Sequence, residues 1–128
     1  MTQEEFIKVL DEKGYSYEME GDKIVVTHKT WVGLYSLTSL PPGVVFRNGG
    51  SVNLMELTSI SPGVVFRNGG SVHLDSLTSL PPGVEFNNGE DVNLYKLVGH
   101  WFSKWKGNIE GINEWDLLNL MIKRGMFI

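Results

Sequence analysis

Cysteine is absent from the 128 residues, which excludes zinc ribbons, thiol nucleophiles, redox pairs and disulfide frameworks. No apolar run approaches the ~20 residues that a membrane-spanning helix requires. Positive charge is scarce: 11 Lys and Arg stand against 15 Asp and Glu, a formal net charge of −4. That balance argues against general electrostatic attraction to nucleic acid or an anionic membrane. The opening stretch, MTQEEFIKVLDEKG, is acidic and amphipathic, unlike a signal or transit peptide. These absences lead us to expect a cytoplasmic protein with no cofactor, no membrane association and no direct nucleic-acid binding. What is plentiful is glycine, at 15 residues, beside a hydrophobic content of 41% that suffices for a core.

The glycines are periodic. PGVVFRNGGSV occupies 42–52 and recurs unchanged at 62–72, and a third copy, PGVEFNNGEDV, occupies 82–92. Gly43, Gly63 and Gly83 set a period of 20 residues. The same register read backwards finds a divergent copy from Asp22 to Leu40, giving four units at about 21–40, 41–60, 61–80 and 81–100. Such identity at a fixed period signals a solenoid. The apolar columns run Ile24/Val44/Val64/Val84, Val26/Phe46/Phe66/Phe86, Val32/Val52/Val72/Val92, Leu34/Leu54/Leu74/Leu94 and Leu37/Leu57/Leu77/Leu97. Within a unit the first two columns are two residues apart, and so are the next two, which is strand periodicity. Asn-Gly-Gly between them reads as a sharp corner with positive-φ positions. A second corner is Pro-Pro-Gly or Ser-Pro-Gly, with φ preset by proline. Asn48, Asn68 and Asn88 are expected to form a hydrogen-bonded ladder at the first corner.

The fold expected is therefore mainly β: a short, single-stranded parallel β-solenoid of four coils, right-handed by the general rule for parallel crossovers. The chain reads as one domain, with an N-terminal cap at 1–20, the solenoid at 21–100 and a C-terminal cap at 101–128. Thr2 and Glu5 form a capping box, Phe6, Val9 and Leu10 share a helix face, and Gly14 ends that helix. YSYEME, Gly-Asp and KIVVT then read as a hairpin entering the first coil. At the far end the tail contains Trp101, Phe102, Trp105, Ile109 and Ile112. A last helix is marked there by Asn113 as N-cap and by Gly125 beyond its end.

At LTSLPPG (37–43), LTSISPG (57–63) and LTSLPPG (77–83) the unit resembles bacterial leucine-rich repeats. Val52-Asn53-Leu54, Leu57 and Ile60, or Val72-His73-Leu74, Leu77 and Leu80-Pro81, stand in the positions of that family's motif. The asparagine that usually follows the family's L-x-L strand is missing, and the spacing is one residue shorter. The whole layout is similar to small solenoid proteins of bacteria and their phages, with LTSLP-x-GV-x-F-x-NGG coils between small caps. The resemblance implies an interaction scaffold, in some cases a phage or mobile-element accessory factor that binds a host protein. It implies no activity.

Three features carry chemical suggestions. Strand alternation places Ser71, His73 and Asp75 on one outward face, in the order of a nucleophile, base and acid. Same-face neighbours on a strand lie about 6.5–7 Å apart, and an outer solenoid face offers no oxyanion donors, so we expect no catalysis. His28, His73 and His100 fall on different columns and give no metal-ligand set. The third feature is the outer side of the first strand, whose columns read Val25/Val45/Val65/Glu85 and Thr27/Arg47/Arg67/Asn87. Arg47 and Arg67, stacked beside exposed Val45 and Val65, make a mixed stripe of the kind partner proteins bury. An alternative has Arg67 pairing diagonally with Glu85 and the valines serving strand propensity alone. On the facing strand Tyr35, Met55, Asp75 and Tyr95 form a second mixed column, with Tyr35 and Tyr95 as anchors. The Thr38/Thr58/Thr78 and Ser39/Ser59/Ser79 columns read as turn-stabilising hydroxyls. Residues 1–22 hold seven carboxylates against two lysines, a net charge of −5. The expectation is a non-catalytic protein–protein interaction module. Its alternatives are an acidic nucleic-acid mimic and a self-associating structural component, which would make the chain a homo-oligomer.

Overall fold

The computed structural model describes residues 1–97. The expected C-terminal cap, with Trp101, Phe102, Trp105 and the helix from Asn113, lies outside the described residues, as does His100. The chain begins with α1 (Gln3–Lys13), capped as its sequence dictates. The Thr2 hydroxyl accepts from the Glu5 N–H at 3.2 Å, and the Glu5 carboxylate accepts from the Thr2 N–H at 3.4 Å. Gly14 closes the helix at φ 71°, and the Tyr15 N–H donates back to Leu10 O at 2.9 Å. Only a left-handed residue allows that reversal, which is why the helix stops there. Phe6 and Leu10, one turn apart, are fully buried and cover the end of the core.

In chain order, β1 (Tyr17–Glu20) and β2 (Lys23–Val26) form the expected hairpin, and β3 (Val32–Gly33) completes the first coil. β4 (Val44–Phe46) with β5 (Val52–Asn53), β6 (Val65–Phe66) with β7 (Val72–His73), and β8 (Glu85–Phe86) with β9 (Val92–Asn93) supply the next three coils. Two sheets result. Sheet A has the order β1-β2-β4-β6-β8 and sheet B the order β3-β5-β7-β9. β1 is antiparallel to β2, and the other pairings are parallel and displaced by one repeat, as in Val45↔Val65 and Val52↔Val72. The third side of the first three coils carries no strand. Leu37, Leu57 and Leu77 each donate an N–H to the leucine three residues before, so a tight turn points them inward.

The interior is apolar and continuous from Phe6 to Leu97. Phe46, Phe66 and Phe86 stack with centroids 5.2 Å apart and planes within 4°. A centroid separation above the coil spacing of about 4.8 Å gives parallel rings an offset, the favoured arrangement.

The corners differ from the expectation in one respect. Asn-Gly-Gly is not a positive-φ turn: besides Gly14 and Gly21, the positive-φ glycines are Gly43 (78°), Gly63 (81°) and Gly83 (83°), at the proline corner. At the Asn-Gly-Gly corner glycine is required for space instead. A Cβ on Gly69 would lie 2.6 Å from Gly49 O of the coil above, and Gly49 and Gly89 meet Lys29 O and Gly69 O in the same way. The expected asparagine ladder is present and runs through backbone carbonyls of the preceding coil. Buried Asn68 donates its Nδ2 to Gly50 O of the preceding coil at 3.1 Å and to its own Gly70 O and Ser71 O at 3.2 and 3.1 Å. Asn48 and Asn88 repeat the pattern. Hydroxyls also join coils on the strandless side, where the Thr58 and Ser61 side chains donate to Thr38 O and Leu40 O.

Candidate functional site

The outer face of sheet A holds the expected stripe, but its upper valines are covered. Arg47 Nη1 meets Glu20 Oε1 at 3.1 Å. Glu20 lies level with Lys23, and Arg47 follows Phe46, which lies level with Val26. The line joining the pair therefore passes over Val25, the residue halfway along in both directions. Val25 is fully buried, and Val45 beside it is only 6% exposed although it points away from the core. The expectation of an exposed Val45 is thus corrected: hairpin and arginine close over it. An exposed pair of this kind contributes less than about 1 kcal/mol to stability. Its consequence here is coverage.

Arg67 repeats Arg47 one coil lower without the same outcome. The position that Glu20 holds relative to Arg47 is held by Lys23 relative to Arg67, and like charge offers no partner. Nor does Arg67 pair with Glu85; among the described residues the ion pair is Arg47–Glu20. Arg67 is exposed, Val65 is half-buried, and Arg47 is exposed although paired, so the open part of the stripe is Arg47, Arg67 and Val65, without Val45.

Sheet B presents a more open face. Its outward residues form a grid: Trp31, Gly33 and Tyr35 in the first coil, then Ser51, Asn53 and Met55, then Ser71, His73 and Asp75, then Asp91, Asn93 and Tyr95. The registers Gly33↔Asn53, Asn53↔His73 and His73↔Asn93 fix the middle column. Large apolar groups line its margins, with Trp31 and Tyr35 each 45% exposed, Met55 40% and Tyr95 54%. The Trp31 and Tyr35 rings approach to 5.8 Å at 47°. They close over Gly33, where a Cβ would lie 2.5 Å from Trp31 and 2.8 Å from Tyr35. Glycine at 33 therefore lets two aromatic rings meet across a strand. Sequence reasoning named Tyr35 and Tyr95 but missed Trp31. The signal was its place two residues before Gly33 and four before Tyr35, on the same face.

Ser71, His73 and Asp75 share this face but do not hydrogen-bond one another. The Ser71 hydroxyl donates to Glu90 Oε2 at 3.4 Å, and His73 Nδ1 lies 2.8 Å from Asn93 Nδ2 of the next coil. An amide nitrogen donates, so His73 Nδ1 is the acceptor in this contact. Among the described residues no three His, Asp or Glu side chains gather at metal-binding distance. Among the same residues no helix is long and apolar enough to cross a membrane. Compared with family models, curated proteins and solved structures, the chain finds no match, and the site stands on its geometry.

Proposed function

We propose that the protein is a non-catalytic protein-binding module and that the outer face of sheet B is its principal contact surface. The observation that carries this reading is the exposure of Trp31, Tyr35, Met55 and Tyr95 around a half-buried polar column. Tyr, Trp and Met are the residues enriched at interfaces, and aromatic anchors lose little conformational freedom on burial. Tyr35 and Tyr95 lie three coils apart, about 14 Å, so both can engage one partner surface. Arg67 and Val65 on sheet A form a second, smaller patch. In this reading the chain acts in the cytoplasm, as a relative of the bacterial and phage solenoid proteins that its LTSLP-x-GV-x-F-x-NGG layout resembles.

The test is affinity capture from nuclease-treated bacterial lysate with three baits: wild type, Tyr35→Ala/Tyr95→Ala and Arg47→Glu/Arg67→Glu. A stoichiometric partner lost with the tyrosines supports the sheet B face. Loss with the arginines alone would move the site to sheet A. Retention by all three, with steep salt dependence and a basic nucleic-acid-binding partner, would favour the acidic cap as a nucleic-acid mimic. Empty baits with self-association in light scattering would overturn the binding module in favour of a structural component.

A further inference from the structure

Among the described residues, the hydrogen-bond register of the N-terminal hairpin leaves one strand edge open. In an antiparallel pair, alternate residues direct both backbone groups at the neighbouring strand and those between direct them away. The Thr27 N–H donates to Ser16 O at 3.0 Å, while the Ile24 N–H and Val26 O bond the coil below. Lys23, Val25 and Thr27 therefore face β1. Through the register Glu18↔Val25 and Glu20↔Lys23, Glu18 and Glu20 return those bonds. The N–H and C=O groups of Tyr17 and Met19 point the other way. β1 is the terminal strand of sheet A, and among the described residues no strand pairs with its outer edge. Three of its four residues are exposed, Met19 among them. The first strand of sheet B is treated differently. There the Tyr15 hydroxyl accepts from the Gly33 N–H at 3.1 Å and donates to Gly33 O at 3.3 Å, occupying both groups.

The side chains of β1 define what would pair there. Tyr17 and Met19 lie on the core side, Tyr17 packed against the core. Glu18 and Glu20 lie on the outer side, Glu20 beside Arg47. A strand laid along β1 would set alternate side chains next to Glu18 and Glu20, and those between next to Met19. We propose that the free edge of β1 accepts, by strand addition, an extended segment of a partner protein in which Lys or Arg alternates with apolar residues. Main-chain bonds to Tyr17 and Met19 supply the attachment, and the glutamates select the sequence. A second copy of this chain is the wrong occupant. Antiparallel β1–β1 pairing would oppose Glu18 to Glu18 or to Glu20 of the second copy, and like charges across strands are destabilising.

The test uses the full chain and a fluorescein-labelled Lys-Val-Lys-Val-Lys-Val peptide, read by anisotropy. A Glu-for-Lys peptide and a Lys-Val peptide methylated at alternate backbone nitrogens serve as controls. Met19→Pro removes an N–H that points at the guest and keeps the bonds between β1 and β2, a position where proline is tolerated. We expect saturable binding of the Lys-Val peptide, no binding of the Glu peptide, and weakening of about tenfold or more for Met19→Pro, Glu18→Lys and the methylated peptide. Should Met19→Pro not fold, the methylated peptide carries the same question. Wild type that fails to bind, or binding untouched by both Met19→Pro and methylation, overturns the proposal. So does a wild-type dimer in sedimentation that Met19→Pro dissolves. Tyr35→Ala/Tyr95→Ala leaves peptide binding unchanged, which separates this edge from the sheet B face.

Discussion

Each full coil turns two corners around glycine, and the two use it for unrelated reasons. At the proline corner Gly63 sits at φ 81° with nothing within 4 Å of where its Cβ would be. The restriction is one of dihedral angle, since an L-residue there sets its side chain against its own backbone. At the asparagine corner Gly69 is free of that restriction, but its Cβ would lie 2.6 Å from Gly49 O. The restriction there is one of space between coils. The difference shows that a repeated glycine can mark either a local conformation or the closeness of a neighbour. The top of the stack tells which. Lys29, exposed, stands in the Gly49/Gly69/Gly89 column, in the coil with none above it.

Substitutions at the two corners should therefore separate by size and by rescue, all read from urea denaturation midpoints. Asn68→Ala should have the largest effect, about 3 kcal/mol, because three hydrogen bonds, one to the coil above and two that fix its own corner, are lost at once. The carbonyls it leaves keep other donors, such as the Val52 N–H on Ser71 O, so the loss falls short of full unfolding. Gly69→Ala should follow at about 2 kcal/mol, the cost of forcing an added carbon against rigid backbone. Gly63→Ala should cost about 1 kcal/mol, from left-handed strain alone. Gly63→Asn should cost only a few tenths, since asparagine tolerates that region. Gly69→Asn should be no milder than Gly69→Ala. Were asparagine to rescue both corners equally, the distinction between angle and space would fail.

The columns, the hairpin, the helix cap and the two-residue strand spacing were all legible in the sequence, because each depends on periodicity or on neighbours within a few residues. The in-register pairing of Ile24 with Val44 and of Val52 with Val72 follows from the repeat alone. What escaped was contact across coils. Alternation placed Val45 correctly on the outside of sheet A, but it carried no information about Arg47 reaching across Val25 to a glutamate in the hairpin. The role of Asn-Gly-Gly was misread for the same reason. The triplet is a familiar turn signal, and only the stacking of identical backbones shows that the carbonyl above excludes a Cβ. On the candidate site, Tyr35, Tyr95 and Arg67 were legible as exposed positions. The Trp31–Tyr35 contact over Gly33 was not, since it depends on a missing side chain between two large ones.

The second and third coils share eleven consecutive letters, and each exchanges hydrogen bonds with the coil above and the coil below, donating upward at Arg47 and Arg67 and downward at Val52 and Val72. Its two flat surfaces are thus copies of a single joint. An insertion of one residue between them would turn every following column inside out. An insertion of 20 residues would disturb none, and would leave the helix and hairpin at one end and the last coil at the other as they were. Length in such a molecule changes in whole coils of about 4.8 Å, and a gene that slips by one repeat gives a taller protein with its folding instructions intact.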